Sequence, residues 1–259
     1  MKRALGAAVA AAAGISIALT VIAGLGHGPG PTTVATAMAD TDDTAPVSEV
    51  IGRSVRGKPI VATRYGDATS DRVAMVVGVI HGDEPAGLRV VNALRRIAPT
   101  VESAQLWVLR TVNPDGVKAR MRKNAHGVDL NRNFPYRWRG GLAPSDGYYP
   151  GPHPASEPET RAMIAFMDQI EPDMSIWYHQ PWGAVLACRG RPQLAAHYAK
   201  LVGMRTSCRG KGLRGTAITW ETHRFPGSTA FVVELPGGAP AGKSVERHAR
   251  AALSLAEGR

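Results

Sequence analysis

The sequence predicts a three-layer α/β/α sandwich, in which helices cover both faces of a mixed, mostly parallel central sheet. Its 259 residues, 44% of them hydrophobic, are enough to bury one sizeable core, and one domain is the default at this length. Continuous apolar runs are typical of strands buried on both faces, and here they alternate with helical segments. The composition also excludes a disulfide-dense mini-protein and a disordered chain.

The first half of the chain contains two predicted buried strands and one helix. A hairpin over 51–64 precedes the apolar run Val73–Ile80, which we predict as a strand buried on both faces. A helix is predicted over 85–97, where a proline suits the first turn. A second strand spans Gln105–Val112 and ends at Asn113-Pro114-Asp115-Gly116, which is a strong turn signal.

The second half begins with a long loop and continues with the same alternation. Gly140–Pro154 is rich in glycine, proline and tyrosine and is predicted as a surface loop. Helices are predicted over 157–170 and 245–257, and short strands over Met174–His179 and Phe231–Leu235. Because sites in such sheets lie at the carboxyl ends of strands, functional residues are expected there.

The N-terminus has the pattern of a secretory signal peptide. Two cations precede an apolar run over 4–26, and a small-x-small site ends at Ala39. We therefore predict a signal peptide at 1–39, a flexible leader at 40–48 and one folded domain at 49–259, in a protein that is secreted or held in the cell envelope. The apolar run is also long enough to span a membrane, so an uncleaved anchor remains an alternative.

The charge of the chain predicts an anionic environment. The formal net charge is +10, and residues 40–259 retain 29 cations and 21 acids, a net charge of +8. For an exported protein this favours the anionic cell wall as a partner and argues against nucleic acid. A membrane partner is expected only if the signal is uncleaved, and a monomer is the expected oligomeric state.

Export also permits a disulfide between the two cysteines, Cys188 and Cys208. Closing that loop would stabilise the fold by about 3 kcal/mol if its effect is on the entropy of the unfolded chain. The alternative is a pair of buried free thiols.

Three residues at predicted strand ends form a candidate metal site. His81 and Glu84 follow the first buried strand, and His179 ends a later one. Two histidines and a carboxylate are a ligand set of catalytic zinc, with a coordination position left open. Taken singly, each is more often a structural residue than a metal ligand. Glu234 lies in an apolar strand, where a carboxylate either pairs with a cation or acts as a general base with a raised pKa.

A basic segment, 122–135, lies between these residues in the sequence. It is either a solvated turn or a set of fixed guanidinium groups that bind a carboxylate bidentately and polarise a carbonyl.

Taken in order, these motifs resemble the zinc metallocarboxypeptidase family. The matching residues are His81-x-x-Glu84, Asn113-Pro114-Asp115-Gly116, Gly127-Val128-Asp129-Leu130-Asn131-Arg132-Asn133, His179 and Glu234, together with an opening hairpin at 51–60 and a segment at 155–160. The sequences of residues 129–135 and 156–160 are most similar to those of the bacterial murein-peptide amidase branch. The resemblance implies a carboxypeptidase-like fold, with 49–259 as a zinc peptidase catalytic domain.

The resemblance assigns a role to each matching residue. His81, Glu84 and His179 match the ligands of one zinc ion per chain, and Glu234 matches the general base. Asp129 matches the carboxylate that orients the first zinc histidine.

The substrate-facing residues also follow from the resemblance. Asn131 and Arg132 match the pair that grips a substrate carboxylate. Arg122 matches the arginine that stabilises the tetrahedral oxyanion, and Arg120 is its nearest rival. The segment 216–221 is expected to shape the specificity pocket.

The resemblance implies a secreted zinc peptidase that cleaves an amide bond in peptidoglycan-derived peptides, between γ-D-glutamate and diaminopimelate. Glu221 is a candidate partner for the distal ammonium of diaminopimelate, or else a rim residue paired with an arginine. Two alternatives remain, which are a general zinc carboxypeptidase acting on extracellular peptides and a non-catalytic, basic wall-binding module.

Overall fold

A computed structural model describes residues 45–186, 192–208 and 212–259, and these form the predicted three-layer α/β/α sandwich. The strands are β1 (Val47–Arg53), β2 (Pro59–Tyr65), β3 (Val73–Val77), β4 (Gln105–Leu109), β5 (Met174–His179), β6 (Trp182–Leu186), β7 (Arg205–Ser207) and β8 (Thr229–Pro236). The helices are α1 (Ala86–Ile97), α2 (Pro114–Ala119), α3 (Pro158–Ile170), α4 (Pro192–Val202), α5 (Ala217–Arg224) and α6 (Gly242–Ala256).

The eight described strands form one mixed sheet in the order β1-β2-β4-β3-β5-β8-β6-β7. The four central strands, β4, β3, β5 and β8, are parallel to one another. Antiparallel pairs lie nearer the edges, where β1 pairs with β2, β2 with β4, and β6 with β8. The apolar runs predicted as strands therefore form the doubly covered centre of the sheet, as expected for parallel strands.

Two groups of helices bury apolar side chains against opposite faces of the sheet. On one face, buried residues of α1, α4 and α6 form a single hydrophobic cluster with side chains such as Tyr178 and Phe231. On the other face, α3 and α5 pack around Trp177 and Phe134. Alternation along the strands distributes their side chains between the two cores.

The predicted boundary between leader and domain is wrong by two residues. We predicted a flexible leader over 40–48, but β1 begins at Val47, which pairs with Arg64 of β2. Ser48 and Thr63 also share a hydroxyl hydrogen bond of 2.8 Å. An edge strand is held mainly by backbone hydrogen bonds, so its polar composition concealed it.

Several short elements differ from the expectations. The central strand β3 ends at Val77 rather than Ile80, and the predicted turn at 113–116 begins the helix α2. Among the described residues, β6, β7, α4 and α5 had no predicted counterpart. Of these, β6, β7 and α5 have at most eight residues, and short segments give weak periodicity.

The predicted signal peptide at 1–39 lies outside the described residues, as does most of the leader. Cys208 is disulfide-bonded, and its predicted partner Cys188 also lies outside the described residues. In the part of the chain that the structure describes, no helix is both long and apolar enough to cross a membrane.

Candidate active site

The three predicted metal ligands meet at the carboxyl edge of the sheet. His81 and Glu84 lie in the turn after β3, and His179 ends the neighbouring strand β5. His179 Nδ1 lies 2.8 Å from Glu84 Oε2 and 3.1 Å from His81 Nδ1, and His81 Nδ1 lies 2.9 Å from Glu84 Oε1. One donor atom from each residue lies within 4.8 Å of the others. Parallel pairing of β3 and β5 therefore brings together side chains that are almost 100 residues apart in sequence.

This donor set fits a zinc ion. Two imidazole nitrogens and one carboxylate are a ligand combination of catalytic zinc. All three side chains are buried or nearly so. Although burial alone would raise the pKa of Glu84, hydrogen bonds with His179 and His81 outweigh it and hold that pKa well below its usual range. Glu84 is therefore ionised, as a metal ligand must be.

Asp129 holds the first histidine, as predicted for it. Its Oδ1 lies 3.1 Å from His81 Nε2. Since a carboxylate only accepts, Nε2 carries the proton and Nδ1 is the nitrogen that faces Glu84 and His179. Asp129 also accepts from Arg122, at 3.1 Å from Nε and 2.9 Å from Nη2.

Arg122 joins the metal ligands to this carboxylate. Its Nη1 donates to Glu84 Oε1 at 3.2 Å. Burial opposes its charge, but Asp129 and Glu84 outweigh that penalty and raise the pKa of the guanidinium. Arg120, the rival candidate, is exposed at the C-terminus of α2 in a left-handed conformation, with φ 53°. Of the two arginines, only Arg122 lines the cavity beside the ligands.

The motif Asn113-Pro114-Asp115-Gly116 supports the turn that carries His81. Asn113 Nδ2 donates to the Ile80 carbonyl at 3.1 Å, and its Oδ1 accepts from Gly116 N at 2.9 Å. A Cβ atom on Gly82 would lie 2.0 Å from the Gly116 carbonyl carbon. Gly82 therefore lets the two turns contact each other directly, because a larger residue would not fit against Gly116.

Glu234 occupies the place expected of a general base. It pairs in register with His179 across β5 and β8, and it shares the cavity-facing side of β8 with Ala230 and Val232. Its side chain is 6% exposed, and its Oε2 is buried without a hydrogen-bond partner. Burial, with a contribution from the charge of Glu84, raises its pKa to about 7. A carboxylate in this environment is suited to take and return a proton near neutral pH.

Asn131 and Arg132, the pair predicted to bind a substrate carboxylate, differ in the contacts that they form within the protein. Asn131 Oδ1 accepts from Ala217 N at 3.0 Å, and Nδ2 lies 3.4 Å from His179 Nε2. Asn131 therefore positions its neighbours as well as lining the cavity. Arg132 Nη1 donates to the Asn131 carbonyl at 2.6 Å. Within the described residues no acid forms an ion pair with Arg132, so its guanidinium can bind a carboxylate.

Tyr148 is a cavity residue that sequence reasoning missed. It comes from the loop Gly140–Pro154 and is 54% exposed. The centre of its ring lies 5.0 Å from Arg122 Cζ and 5.2 Å from Arg132 Cζ. The ring therefore contacts both guanidinium groups within cation–π range. A tyrosine in a polar loop carries no periodic signal that would have revealed this.

The site opens into a cavity of 1170 Å³. Away from the ligands, its wall is formed by Thr216, Ile218 and Thr219 together with Ala230 and Val232. The segment expected to shape the specificity pocket does line the cavity. Among the described lining residues the acids are Asp83, Glu84 and Glu234.

Glu221 is not the pocket acid that we predicted, nor a rim residue paired with an arginine. It is 0% exposed and lies between α5 and the sheet. Its Oε2 accepts from Ser175 Oγ at 2.7 Å and from Trp177 Nε1 at 3.4 Å, and its Oε1 accepts from Ser228 Oγ at 3.4 Å. Ile218 and Thr219, which precede it on α5, line the cavity instead.

Replacing Glu221 with glutamine is expected to stabilise the protein more at pH 8 than at pH 4.5. Burial raises the pKa of Glu221 from 4.5 to about 7. Between these values the unfolded chain loses the proton while the folded protein keeps it, so the unfolding free energy of the unmodified protein falls as pH rises and levels off above 7. Glutamine removes that loss, which amounts to a few kcal/mol at most. Urea unfolding at both pH values measures the difference.

Glu246→Gln, an exposed change on α6, is the matched control. An equal effect of Glu221→Gln at pH 4.5 and pH 8 would show that the carboxyl group titrates alike in both states.

The fold and the site together define a metal-dependent hydrolase of the carboxypeptidase type. The model of the zinc carboxypeptidase family, Peptidase_M14, matches residues 36–186. The chain belongs to this family. Its membership confirms the predicted class of protein and zinc as the cofactor. The match includes the three ligands, whereas Glu234 lies beyond it.

Curated relatives cover part of the chain. Murein peptide amidase A of Escherichia coli K12 is 34% identical over 160 residues, which is 57% of this chain and 63% of that protein. Carboxypeptidase SOL1 of Arabidopsis thaliana is 31% identical over 154 residues, 53% of this chain and 29% of that protein. The chain thus matches less than two thirds of the length of either relative.

Solved structures share the fold over most of the chain. Murein-tripeptide amidase from Escherichia coli O157 has a TM-score of 0.67 and 23% identity, covering 88% of this chain and 99% of that one. Carboxypeptidase A from Helicoverpa armigera has a TM-score of 0.68 and 17% identity, covering 83% and 70%. These likenesses confirm the predicted carboxypeptidase-like fold.

Proposed function

We propose that the protein is a zinc peptidase that hydrolyses the amide bond between γ-D-glutamate and diaminopimelate in peptidoglycan-derived peptides. The convergence of three candidate metal ligands, the buried carboxylate Glu234 and the guanidinium of Arg132 in one cavity carries this proposal. Among the described residues, Arg132 has no acidic ion-pair partner. The name of the Escherichia coli relative, murein peptide amidase A, supports the substrate class.

The ligand set defines where the chemistry would occur. His81, Glu84 and His179 would hold the zinc ion. When bound, zinc acts as a Lewis acid that polarises a carbonyl group and lowers the pKa of water. Asp129 keeps His81 in the orientation and tautomer that this binding needs.

The remaining residues bind the substrate and move the proton. Arg132 binds the free carboxylate of the residue on the amine side of the scissile bond, which fixes the substrate in the cavity. Glu234 takes a proton from a water molecule while the oxygen of that water forms a bond to the carbonyl carbon of the substrate. The positive charge of Arg122 stabilises the negative charge that develops on the carbonyl oxygen. Glu234 then returns the proton to the amide nitrogen as the C–N bond breaks.

We also propose that the protein is exported, with residues 1–39 as a cleaved signal peptide. The pattern of cations, apolar run and small-x-small site supports this proposal. N-terminal sequencing of the protein recovered from the native cell envelope or medium tests it. A start near Asp40 is expected, and a start at Met1 would support the membrane anchor instead.

The apolar cavity wall favours a second candidate, a carboxypeptidase for ordinary peptides. Ile218, Ala230 and Val232 suit an apolar side chain, and no acid other than Asp83, Glu84 and Glu234 lines the described cavity. A diaminopimelate side chain ends in an ammonium and a carboxylate, for which such a wall offers no counter-charge.

Digestion of defined peptides distinguishes the two candidates. L-alanyl-γ-D-glutamyl-diaminopimelate is incubated with the zinc-loaded protein, and the products are identified by mass spectrometry. Release of diaminopimelate is expected. A C-terminal amide of the same peptide is expected to be a poor substrate, because it has no C-terminal carboxylate for Arg132 to bind. Release of leucine or phenylalanine from ordinary peptides, with no cleavage of the stem, would overturn the proposal in favour of the second candidate.

Replacing Tyr148 with leucine is expected to raise KM for the substrate about tenfold with a smaller change in kcat. The reason is that the ring holds the guanidinium groups of Arg122 and Arg132, and each cation–π contact contributes of the order of 1 kcal/mol. Tyr148→Phe keeps the ring and is expected to retain most of the affinity. Steady-state kinetics of both variants measure the effect.

Tyr149→Leu is the matched control, since Tyr149 is the next residue of the same loop and does not line the cavity. An unchanged KM in Tyr148→Leu, or an equal increase in the control, would show that the ring does not position the arginines.

A further inference from the structure

One helical layer of the protein is strongly basic and the other is not. The helices α1, α4 and α6 carry seven Lys and Arg residues and one acid, Glu246. The cations are Arg89, Arg95, Arg96, Lys200, Lys243, Arg247 and Arg250. On the opposite face, α3 and α5 carry two arginines and three acids. The same sheet thus separates a layer of net charge +6 from one of −1.

The seven cations are exposed and have no acidic partner among the described residues. All seven are exposed, because the apolar residues of these helices face the sheet. In the described part of the chain, none of the seven forms an ion pair within 4.0 Å. Three of them donate to uncharged oxygens, which are the hydroxyl of Tyr65 and two backbone carbonyls. Their positive charge is therefore uncompensated by neighbouring side chains.

This layer accounts for most of the net charge of the folded body. Residues 40–259 carry +8, and the three helices hold +6 of it. A concentration of one sign of charge on one face attracts polyanions over distances near the Debye length. The remainder of the body is almost neutral.

We propose that the outer face of α1, α4 and α6, which we call the basic layer, binds a linear polyanion. Five of its seven cations are arginines, whose planar guanidinium binds phosphate and carboxylate groups in a bidentate manner. The charges are distributed over three helices instead of converging on one cavity, which fits the repeating charges of a polymer better than a single small anion.

The scarcity of exposed large hydrophobic residues favours a polymer over a lipid surface. Among the described large hydrophobic residues that are exposed, only Leu201, at 39%, lies on these helices. Side chains that insert into a bilayer, such as exposed tryptophan or phenylalanine, are therefore missing from the described part of this face. Its attraction to a partner is electrostatic.

The basic layer meets the cavity at one of its cations, Arg89. Arg89 lies in the first turn of α1 and lines the cavity, whereas the other six cations do not. A polymer bound along the layer would leave the cavity accessible. The inference is independent of the proposed function, because binding does not need hydrolysis.

Two variants that remove the same number of cations from different places test the proposal. Because their net charges are equal, any difference in binding depends on where the cations were. The first variant replaces Arg96, Lys200, Lys243 and Arg250 with glutamine. The control replaces four exposed cations elsewhere, Lys118, Arg120, Arg137 and Arg139, so both variants lose the same charge. Binding of labelled polyphosphate and of polyglutamate is measured at low salt and at high salt. These two polymers distinguish phosphate from carboxylate recognition.

The first variant is expected to bind at least one polymer about tenfold more weakly than the unmodified protein, and the control to bind nearly as well. High salt is expected to weaken binding by the unmodified protein. Equal losses in both variants would overturn the proposal, because net charge alone would then explain binding. Failure of the unmodified protein to bind either polymer at low salt would also overturn it.

Two further measurements cover folding and the lipid alternative. Hydrogen exchange of the unmodified protein with and without polymer needs no substitution, and protection is expected in α1, α4 and α6. Protection confined to other segments would contradict the proposal. Vesicles of phosphatidylglycerol and phosphatidylcholine provide the membrane comparison. Binding to these vesicles without binding to the polymers would replace the proposed partner by a lipid surface.

Discussion

Replacing Glu234 with glutamine is expected to lower kcat on the stem peptide by about 1000-fold. Glutamine has nearly the same shape but cannot take a proton from water or return one to the amine. The candidate zinc ligands His81, Glu84 and His179 are untouched, so the zinc content is expected to stay unchanged. Stopped assays of product release, together with metal analysis of the same preparation, measure both quantities.

Glu171→Gln is the control for this substitution, because Glu171 is exposed at the end of α3. Retention of more than a tenth of the activity in Glu234→Gln would show that another group moves the proton. Loss of zinc in that variant would show that Glu234 acts through the metal site instead.

Replacing His179 with alanine is expected to remove both the zinc ion and the activity. Of the three donors, His179 is the one supplied by β5, and without it only the His81–Glu84 turn remains. Two protein ligands bind zinc far more weakly than three. We expect the zinc content to fall from about one per chain to a small fraction. Because a ligand stabilises the folded state that binds it, added zinc is expected to raise Tm only in the unmodified protein.

His197→Ala is the matched control, since His197 is exposed on α4 and does not line the cavity. Full zinc occupancy in His179→Ala would contradict the assigned ligand set. Activity that survives a chelator in the unmodified protein would contradict metal dependence altogether.

Most of the site could be predicted because its residues follow recognisable strands. His81 and His179 come directly after or at the end of apolar runs, and Glu234 is a carboxylate inside one. Parallel strands end at one edge of a sheet, so such residues meet whatever the details of the loops. The segment that contains Asp129 and Arg132 was found from its motif and its similarity to a known family.

Residues whose roles depend on side-chain direction were harder to predict. Glu221 and Ile218 are neighbours on α5, yet Ile218 lines the cavity and Glu221 is buried against Ser175. Arg120 and Arg122 are two positions apart, and only Arg122 reaches Asp129. In both pairs the sequence spacing was known, but the contacts that each side chain makes in the folded protein were not.

By itself, the sequence determined the fold class and the family and identified the candidate metal ligands and the candidate base, because apolar periodicity and ordered motifs are local properties. The tertiary structure decided the partners of those residues in space. It placed the ring of Tyr148 over Arg122 and Arg132, and it collected most of the net charge on one helical layer. Both features depend on which distant segments pack together. Packing contacts join residues that are far apart in the chain, so no local sequence pattern reveals them.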